Sequence, residues 1–570
     1  MKRAILLTAL LLAAAGYVLL QTGSPSPDLA TFLPSGALLY LRAPDLGRLL
    51  RDWDSSKVKA DWLASQNYDV FSRSNLFSKL GDVYDQYGEA AGFTPDLKSL
   101  TEIAGSDSAL ALYDAREVEF LYISRIADAD LMKSQLWAVR AKFQQRQAGG
   151  VSFYQRSDDA GKRTVAFTFT KGYLLLATRP DLLAQSLEIM AAGSHPAIAS
   201  DRWYRDSVAA AQAPGDLRLV MNLETLVKSV SFRSYWVQRN ASALRRFSAG
   251  IADVRRSSAD ITEDRVLLHA PETADPARAA AVSSLLALVP GDAGLYKTWS
   301  FDDSSAAAAL IVHKLIGPPP ERAVDDRYAP PPASPDNTAG SEGDLETRID
   351  EQPLPADAGI ADSIAAARTL VDQGNAHSLL LVQSTSPAAG TFVPIASVIV
   401  LAGDAGWNRD TVRQSLTAAA GKLWTTSQLG AAWAGDTVAQ QPVDRLDGLG
   451  TVLFAIRGRF LFLSGDAPLL ASVLARSGAA PPSAGDFTYA AGFRHQRERA
   501  NYERIMAALD FTAPAGTPEF EPNLSPGGPS FFSGNLGSLS RVLGRIAEVR
   551  LTERETPAGT IQKVVYQLGQ

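Results

Sequence analysis

Two segments of this 570-residue chain align without a gap, and this pair constrains the fold more than any other feature. The segments are Thr164–Met190 and Thr451–Ser477, and nine of their 27 aligned positions are identical. About three would match by chance in a chain this rich in Leu and Ala. In each segment two strand-like runs meet at a short turn, Lys171–Gly172 or Gly458–Arg459, and leucines at helical spacing follow. The pattern predicts a hairpin followed by a helix in each half.

Further matches occur in the same order along the two halves. The aligned pairs include Tyr40 with Tyr296, Leu219 with Tyr489, and Ile251 with Ile546. Because strand-like runs are joined mostly by hairpin turns, we predict an α+β fold. It consists of two homologous repeats of antiparallel sheet with helices packed on one face, preceded by an N-terminal apolar helix. The predicted boundaries are 1–27 for a signal peptide or membrane anchor with its spacer, 28–275 for repeat 1, and 283–570 for repeat 2.

The halves differ at three places where residues are inserted or deleted. Residues 317–355 form a Pro-rich insertion in the second half with nine acids and three bases, which predicts a flexible, solvated loop. Its alternative role is a docking tail for a basic or aromatic-grooved partner. Residues 511–534 form a second Pro/Gly-rich loop, and the helix-like stretch Asp201–Ala211 is found only in the first half. Other helices are predicted over Asn75–Ala91, Leu131–Arg146 and Pro180–Ala192.

The N-terminus has the pattern of a secretion signal or a signal anchor. Lys2 and Arg3 precede an apolar run, Ala4–Leu20, of 17 residues, which is close to the minimum that spans a bilayer. Positive charge before the run keeps the N-terminus in the cytoplasm. The prediction is a single-pass protein of the bacterial inner membrane, held through residues 4–20, with its C-terminal body in the periplasm. Cleavage at Ala13–Ala15 is the alternative and would give a secreted or periplasmic protein.

Composition excludes several classes of site. The chain has no cysteine, which removes disulfides, thiolate metal sites and cysteine nucleophiles. Its five histidines are scattered, with no pair four residues apart, so we predict no metal site and no cofactor. A formal charge of −6 argues against a nucleic-acid partner.

A search for catalytic motifs yields no catalytic, cofactor-binding or metal-binding residue. The densest polar cluster is Arg494–Arg499 with Tyr502 and Glu503, for which a charged, exposed helix face is the favoured interpretation over an anion site or a general base. The pair Trp203 and Tyr204 is expected to pack a helix, with an interface as the alternative. Two aromatic stretches favour core packing, with a groove for lipid or a partner helix as the alternative. They are the helical face Phe71, Leu76, Phe77, Leu80, Val83, Tyr84 and Tyr87, and the segment Ser231–Trp236.

Three stretches carry a family resemblance: the Leu-Pro-x5-Tyr motif of Leu33, Pro34 and Tyr40, the stretch Gly92–Gly105 leading into Ala109–Tyr113, and the Lys-Gly-Tyr-Leu-Leu-Leu hairpin with the Asp-Leu-Leu helix after it. In these motifs the chain resembles a bacterial family of extracytoplasmic, signal-anchored proteins known only as a domain of unknown function. The resemblance implies an extracytoplasmic location and no particular chemistry.

The leading hypothesis is a non-enzymatic, membrane-anchored envelope protein that binds or scaffolds another envelope component. One alternative is a carrier of lipid or another apolar ligand. The other is a hydrolase whose catalytic residues are dispersed along the sequence.

Overall fold

The computed structural model describes residues 27–228, 244–270, 276–317, 358–386, 393–404, 406–424, 430–478, 486–512 and 531–569. The chain divides into two compact units. Unit 1 comprises Met1–Ala64, Tyr68–Arg256 and Glu263–Pro271, and unit 2 comprises Ser65–Asn67, Ser257–Thr262 and Glu272–Gln570. The described residues form 20 strands and 17 α-helices.

Ten strands and ten helices lie before residue 270. The strands are β1 (Leu39–Ala43), β2 (Asp107–Asp114), β3 (Glu119–Arg125), β4 (Gln144–Ala148), β5 (Val151–Ser157), β6 (Thr164–Thr170), β7 (Tyr173–Ala177), β8 (Leu217–Met221), β9 (Ala249–Arg256) and β10 (Asp260–Leu268). The helices are α1 (Leu46–Asp54), α2 (Lys57–Leu63), α3 (Gln66–Ser72), α4 (Asn75–Ala91), α5 (Leu97–Ile103), α6 (Asp128–Leu131), α7 (Gln135–Ala138), α8 (Pro180–Ala192), α9 (Arg202–Ala210) and α10 (Leu223–Leu226).

Ten strands and seven helices follow from residue 276. The strands are β11 (Leu295–Ser300), β12 (Ala376–Thr385), β13 (Ile395–Gly403), β14 (Ala432–Val438), β15 (Gln441–Asp447), β16 (Thr451–Arg457), β17 (Phe460–Ser464), β18 (Tyr489–Phe493), β19 (Ile546–Thr556) and β20 (Gly559–Leu568). The helices are α11 (Pro276–Leu286), α12 (Ser304–Ile311), α13 (Ala358–Gln373), α14 (Arg409–Trp424), α15 (Ala467–Leu474), α16 (His495–Thr512) and α17 (Gly537–Val542).

The strands follow one another in the same order in both units. In unit 1 the order across the sheet is β10-β9-β8-β1-β2-β3-β7-β6-β5-β4. In unit 2 it is β20-β19-β18-β11-β12-β13-β17-β16-β15-β14, with antiparallel neighbours. The predicted mixed fold built on antiparallel sheet is therefore confirmed.

The two predicted hairpins are present and have the same register. Phe167 lies opposite Leu176 across the first hairpin, and Phe454 lies opposite Leu463 across the second. Their turns differ, because the first has positive φ at both central residues, Lys171 and Gly172, whereas the second has it at Gly458 alone. Both patterns belong to two-residue turns that match the twist of the strands.

Two of the sequence matches outside the hairpins are wrong in register. Leu219 pairs with the residue after Tyr40, whereas Ala491 pairs with the residue after Tyr296, so Leu219 corresponds to Ala491 and not to Tyr489. The next strands pair in the same way, β9 with β8 and β19 with β18. These pairings place Ile251 at the position of Arg550 and not at that of Ile546. Shifts of two and four residues keep every side chain on its face of the sheet, so the apolar pattern could not detect them.

Helices do not pack on one face only, which corrects the prediction. In unit 2, Leu379 and Leu381 of β12 pack in a core with α12, α13 and α14. Leu380 and Val382, which point to the opposite face, pack in a second core with α11 and α15. In unit 1 the consecutive residues Leu121, Tyr122 and Ile123 of β3 are all buried, so both faces are covered there as well.

The single helix predicted over Leu131–Arg146 is also wrong. The chain forms the short helices α6 and α7, a 3-10 turn at Arg140–Lys142, and then β4. Ser134 breaks the helix because its hydroxyl donates to the Leu131 carbonyl and accepts from the Trp137 amide. Pairing of β4 with β5 then overrides the helical pattern of the sequence.

Several predictions concern residues outside the described ranges. These are the apolar run at 4–20, the segment Ser231–Trp236, the insertion at 317–355 apart from Gly317, and residues 513–530 of the loop at 511–534. Within the described ranges, no helix combines the length and apolarity needed to cross a bilayer.

Candidate functional site

Unit 1 has a polar cleft on either side of the turn that follows β1. Pro44 and Asp45 in this turn line two open cavities, of about 710 and 430 Å³. The larger cavity is bounded by α1, by the residues after α5 and by the residues after β3, and the smaller one by the residues before β8 and the end of β9. The lining therefore comes from segments that are far apart in the sequence.

The cleft is charged, with bases and acids interspersed. Arg51, Arg125 and Lys133 line the larger cavity, and Arg48, Arg255 and Arg256 line the smaller one. Three of the four acids that line the cavities accept hydrogen bonds from backbone amides. Asp45 accepts from the Arg48 amide at 2.9 Å, Glu102 from the Gln135 amide at 3.0 Å, and Asp216 from the Arg256 amide at 2.9 Å.

Asp216 illustrates how firmly these acids are held. The Arg256 amide and, after it, the Arg48 guanidinium hold the pKa of Asp216 below its ordinary value. A carboxylate that is already ionised and hydrogen-bonded is a poor general base. We interpret the acids as positioning groups of the cleft wall.

A second candidate surface is the helical segment α1–α4, defined as Leu46–Ala91. From Arg48 to Tyr87, no side chain whose position is described is buried. Leu46 and the end of α4 pack in the core of unit 1. Of the forty residues from Arg48 to Tyr87, seven of them aromatic, the described side chains are thus half-buried or exposed.

The aromatic rings of this segment pack mainly on one another. Trp62 contacts Tyr68 and Phe71 with ring centroids 5.0 and 5.9 Å apart, and Phe77 lies 5.4 Å from Phe71. The segment also has exposed large side chains, namely Trp53 (43%), Leu63 (43%), Leu80 (48%) and Tyr84 (44%). The prediction that this aromatic face is simply core packing is therefore wrong for Leu80 and Tyr84; Leu76 is not among the described side chains.

The polar cluster at Arg494–Arg499 is not the exposed helix face that the sequence indicates. Glu498 is only 2% exposed and accepts from the Thr385 amide and hydroxyl. Arg497 donates to Glu498 at 3.2 Å and to Ser384 at 2.7 Å. Glu498 therefore joins α16 to β12 in a buried network.

The five histidines lie apart from one another. His195 bonds to Glu188 at 2.6 Å, His377 to Asn375 at 3.1 Å, and His495 to Ser540 at 3.3 Å. Burial, with the neighbouring Arg499, lowers the pKa of His495. Within the described part of the chain, no group of three acids or histidines has the arrangement of a metal site.

Tyr204 packs helix α9 as the sequence predicts, whereas Trp203 is half-buried and contacts its neighbours Asp201 and Tyr204. Tyr204 is buried and its ring meets that of Tyr40 edge to face at 5.3 Å. The charged cleft, by contrast, escaped sequence reasoning. Its residues form no motif, and only the scatter of Arg residues near strand ends hinted at it.

The chain has only distant similarity to known proteins. No protein-family model matches the chain, and no curated protein matches it significantly. Structures of TP0453 in crystal forms IV, I and III share 12%, 10% and 12% sequence identity with it. They cover 43%, 46% and 47% of this chain and 81%, 86% and 89% of their own, with TM-scores of 0.25, 0.24 and 0.25. A similarity at this level carries no inference about fold or function.

Proposed function

We propose that the chain is a non-enzymatic envelope protein, anchored in the inner membrane through residues 4–20, whose helical segment α1–α4 binds another envelope protein. The observation that carries this proposal is that the described side chains from Arg48 to Tyr87, in a segment rich in aromatic residues, are half-buried or exposed. Exposed apolar patches of this kind mark interaction sites in soluble proteins. Aromatic residues are also enriched where proteins contact each other.

The charge of the segment favours a protein partner over a lipid surface. Leu46–Ala91 contains six bases and seven acids, whereas helices that lie on anionic membranes are rich in Lys and Arg. Leu80 and Tyr84 are four residues apart on α4, so they lie on the same side of the helix. A partner helix or groove could cover both side chains, and the nearly balanced acids and bases of the segment would not repel it.

A photo-crosslinking amino acid at Leu80 or Tyr84 tests this proposal in native envelopes. Asp82 is the matched control, since it is exposed in the same helix and points away from Leu80. We expect one discrete protein adduct from positions 80 and 84 and none from position 82.

Three other outcomes would count against the proposed partner. Lipid adducts alone would favour the lipid-binding alternative. Equal adducts from positions 80, 82 and 84 would indicate random collisions, and the absence of any adduct would indicate a surface without a stable partner. The cavities of unit 1 are open and charged, so no observation favours an enclosed lipid carrier or a hydrolase over the proposal.

The proposal includes descent of both units from one duplicated ancestor. It is supported by their common strand order and by the equal registers of their hairpins. Membership in the extracytoplasmic family with the Leu-Pro-x5-Tyr motif and location in the periplasm belong to the same proposal. Floating the full-length protein with reconstituted vesicles tests the anchor directly.

A further inference from the structure

The first described residues of unit 1 form a buried strap, defined as Asp28–Gly36. Leu29, Ala30 and Leu33 are fully buried. Only Leu29–Thr31 is helical, so the strap has few hydrogen bonds of its own. It must therefore be held by contacts with other elements of the unit.

One end of the strap is held at Asp28. Its carboxylate accepts from the hydroxyls of Tyr204 at 2.5 Å and Tyr40 at 3.2 Å, and Arg42 lies 3.8 Å away. Burial, followed by the nearby Asp28 carboxylate, raises the pKa of Tyr204 well above its ordinary value. The hydroxyl thus remains a donor at any physiological pH.

The other end is held at Asp201, the residue before α9. Its carboxylate makes no capping bond to α9 and accepts instead from the Ser35 hydroxyl at 2.6 Å and the Gly36 amide at 3.3 Å. Two backbone hydrogen bonds lie beside this contact. The Ser35 amide donates to the Pro196 carbonyl at 2.9 Å, and the Ile198 amide donates to the Leu33 carbonyl at 2.8 Å. Helix α9 and the residues before it thus hold both ends of the strap.

Unit 2 has a different arrangement at the corresponding place. Aligned from Tyr40 and Tyr296, Leu29 corresponds to Leu285, which is buried at the end of helix α11. A segment inside a helix supplies its own backbone hydrogen bonds. The connection between the hairpin helix and the next strand is also shorter, 14 residues in unit 2 against 24 in unit 1.

We propose that α9 is a clamp that fixes the point at which unit 1 is tied to the membrane anchor. This inference rests on the proposed anchor at residues 4–20. Residues 21–27 can extend over about 25 Å at most, so a fixed strap holds unit 1 close to the bilayer and limits its rotation. Helix α9, whose sequence occurs only in the first half, thus serves to orient the protein at the membrane.

Hydrogen exchange of the full-length chain in detergent micelles tests the clamp itself. In the double variant Asp201→Ala/Tyr204→Phe, we expect amides of the strap to exchange at least tenfold faster while β2 and β3 keep their protection. Arg202→Ala is the matched control, because its side chain is 90% exposed and pairs only with Asp206 on the same helix. Unchanged exchange in the strap, or equal loss of protection throughout unit 1, would overturn the proposal.

A second measurement tests the consequence at the membrane. Since the chain has no cysteine, Ser194→Cys introduces a unique label near the strap. In nanodiscs we expect a narrow distribution of distances from this label to the lipid headgroups, broadened by the double variant. A distribution that is already broad without the double variant would overturn the orienting role. Failure of the protein to enter nanodiscs would refute the anchor, and the exchange result in micelles would still decide the clamp.

Discussion

At the scale of single residues, the least expected features are polar groups inside the cores. Glu498 belongs to a sequence of alternating charges that resembles a solvated helix face, yet it is buried and bonded to β12. The period of the helix places it on the inner side, but the sequence cannot indicate that Thr385 lies there to donate to it. Long-range pairing of polar groups is set by the sheet and not by the neighbouring residues.

Thr298 presents the opposite case, a buried hydroxyl that the described residues leave without a partner. We predict that Thr298→Val, which keeps the shape and removes the hydroxyl, raises the free energy of unfolding by about 1 kcal/mol. Thr168→Val is the control and should lower it by about 1 kcal/mol, because the Thr168 hydroxyl donates to the Ser152 carbonyl at 2.7 Å. Urea denaturation measures both. A loss of stability in Thr298→Val would mean that an ordered water completes this site.

At the scale of elements, local signals were sufficient where turns and strands are adjacent. Helix α8 has the predicted bounds and β6 and β7 meet at the predicted turn, because a helix with Pro at its start and a hairpin depend on neighbouring residues. The helix predicted over Leu131–Arg146 failed because β4 gains its hydrogen bonds from β5. A propensity of a few tenths of a kcal/mol per residue cannot compete with such pairing.

The turn between β14 and β15 offers a prediction at this scale. Ala439 and Gln440 have φ of +50° and +62°, which residues other than Gly and Asn adopt at a cost. We predict that Ala439→Asn with Gln440→Gly stabilises the protein by about 1 kcal/mol in thermal or urea unfolding. The corresponding turn of unit 1 has Gly149 and Gly150 at +54° and +74°. Gly150→Ala should therefore destabilise, although no atom lies within 4 Å of the added methyl group. If the change at 439 and 440 and the change at 150 altered the free energy of unfolding in the same direction, the explanation from backbone conformation would be wrong.

At the scale of the whole molecule, the common strand order of the units has an energetic consequence. Phe167 and Phe454 occupy corresponding hairpin positions and are both fully buried. We predict that Phe167→Ala and Phe454→Ala each cost about 3–5 kcal/mol, because each removes a large side chain from a closed core. Hydrogen exchange of β6 and β7 in the first variant, and of β16 and β17 in the second, measures the local loss. A large loss in one and tolerance in the other would argue against equivalent cores.

The sequence by itself determined the two hairpins, the helices that follow them, and the α+β class, since these depend on residues close together in the chain. The apolar pattern of those segments appears twice, and each copy forms the same hairpin. Only the tertiary structure decided that both faces of the strands are covered in each unit, by helices on both faces in unit 2, and that outer strands pair two and four residues away from the apparent matches. It also decided which aromatic residues leave the core, because burial depends on what folds over a segment. The charged cleft and the clamp of the strap are assembled from distant segments, so their geometry exists only once the sheet has formed.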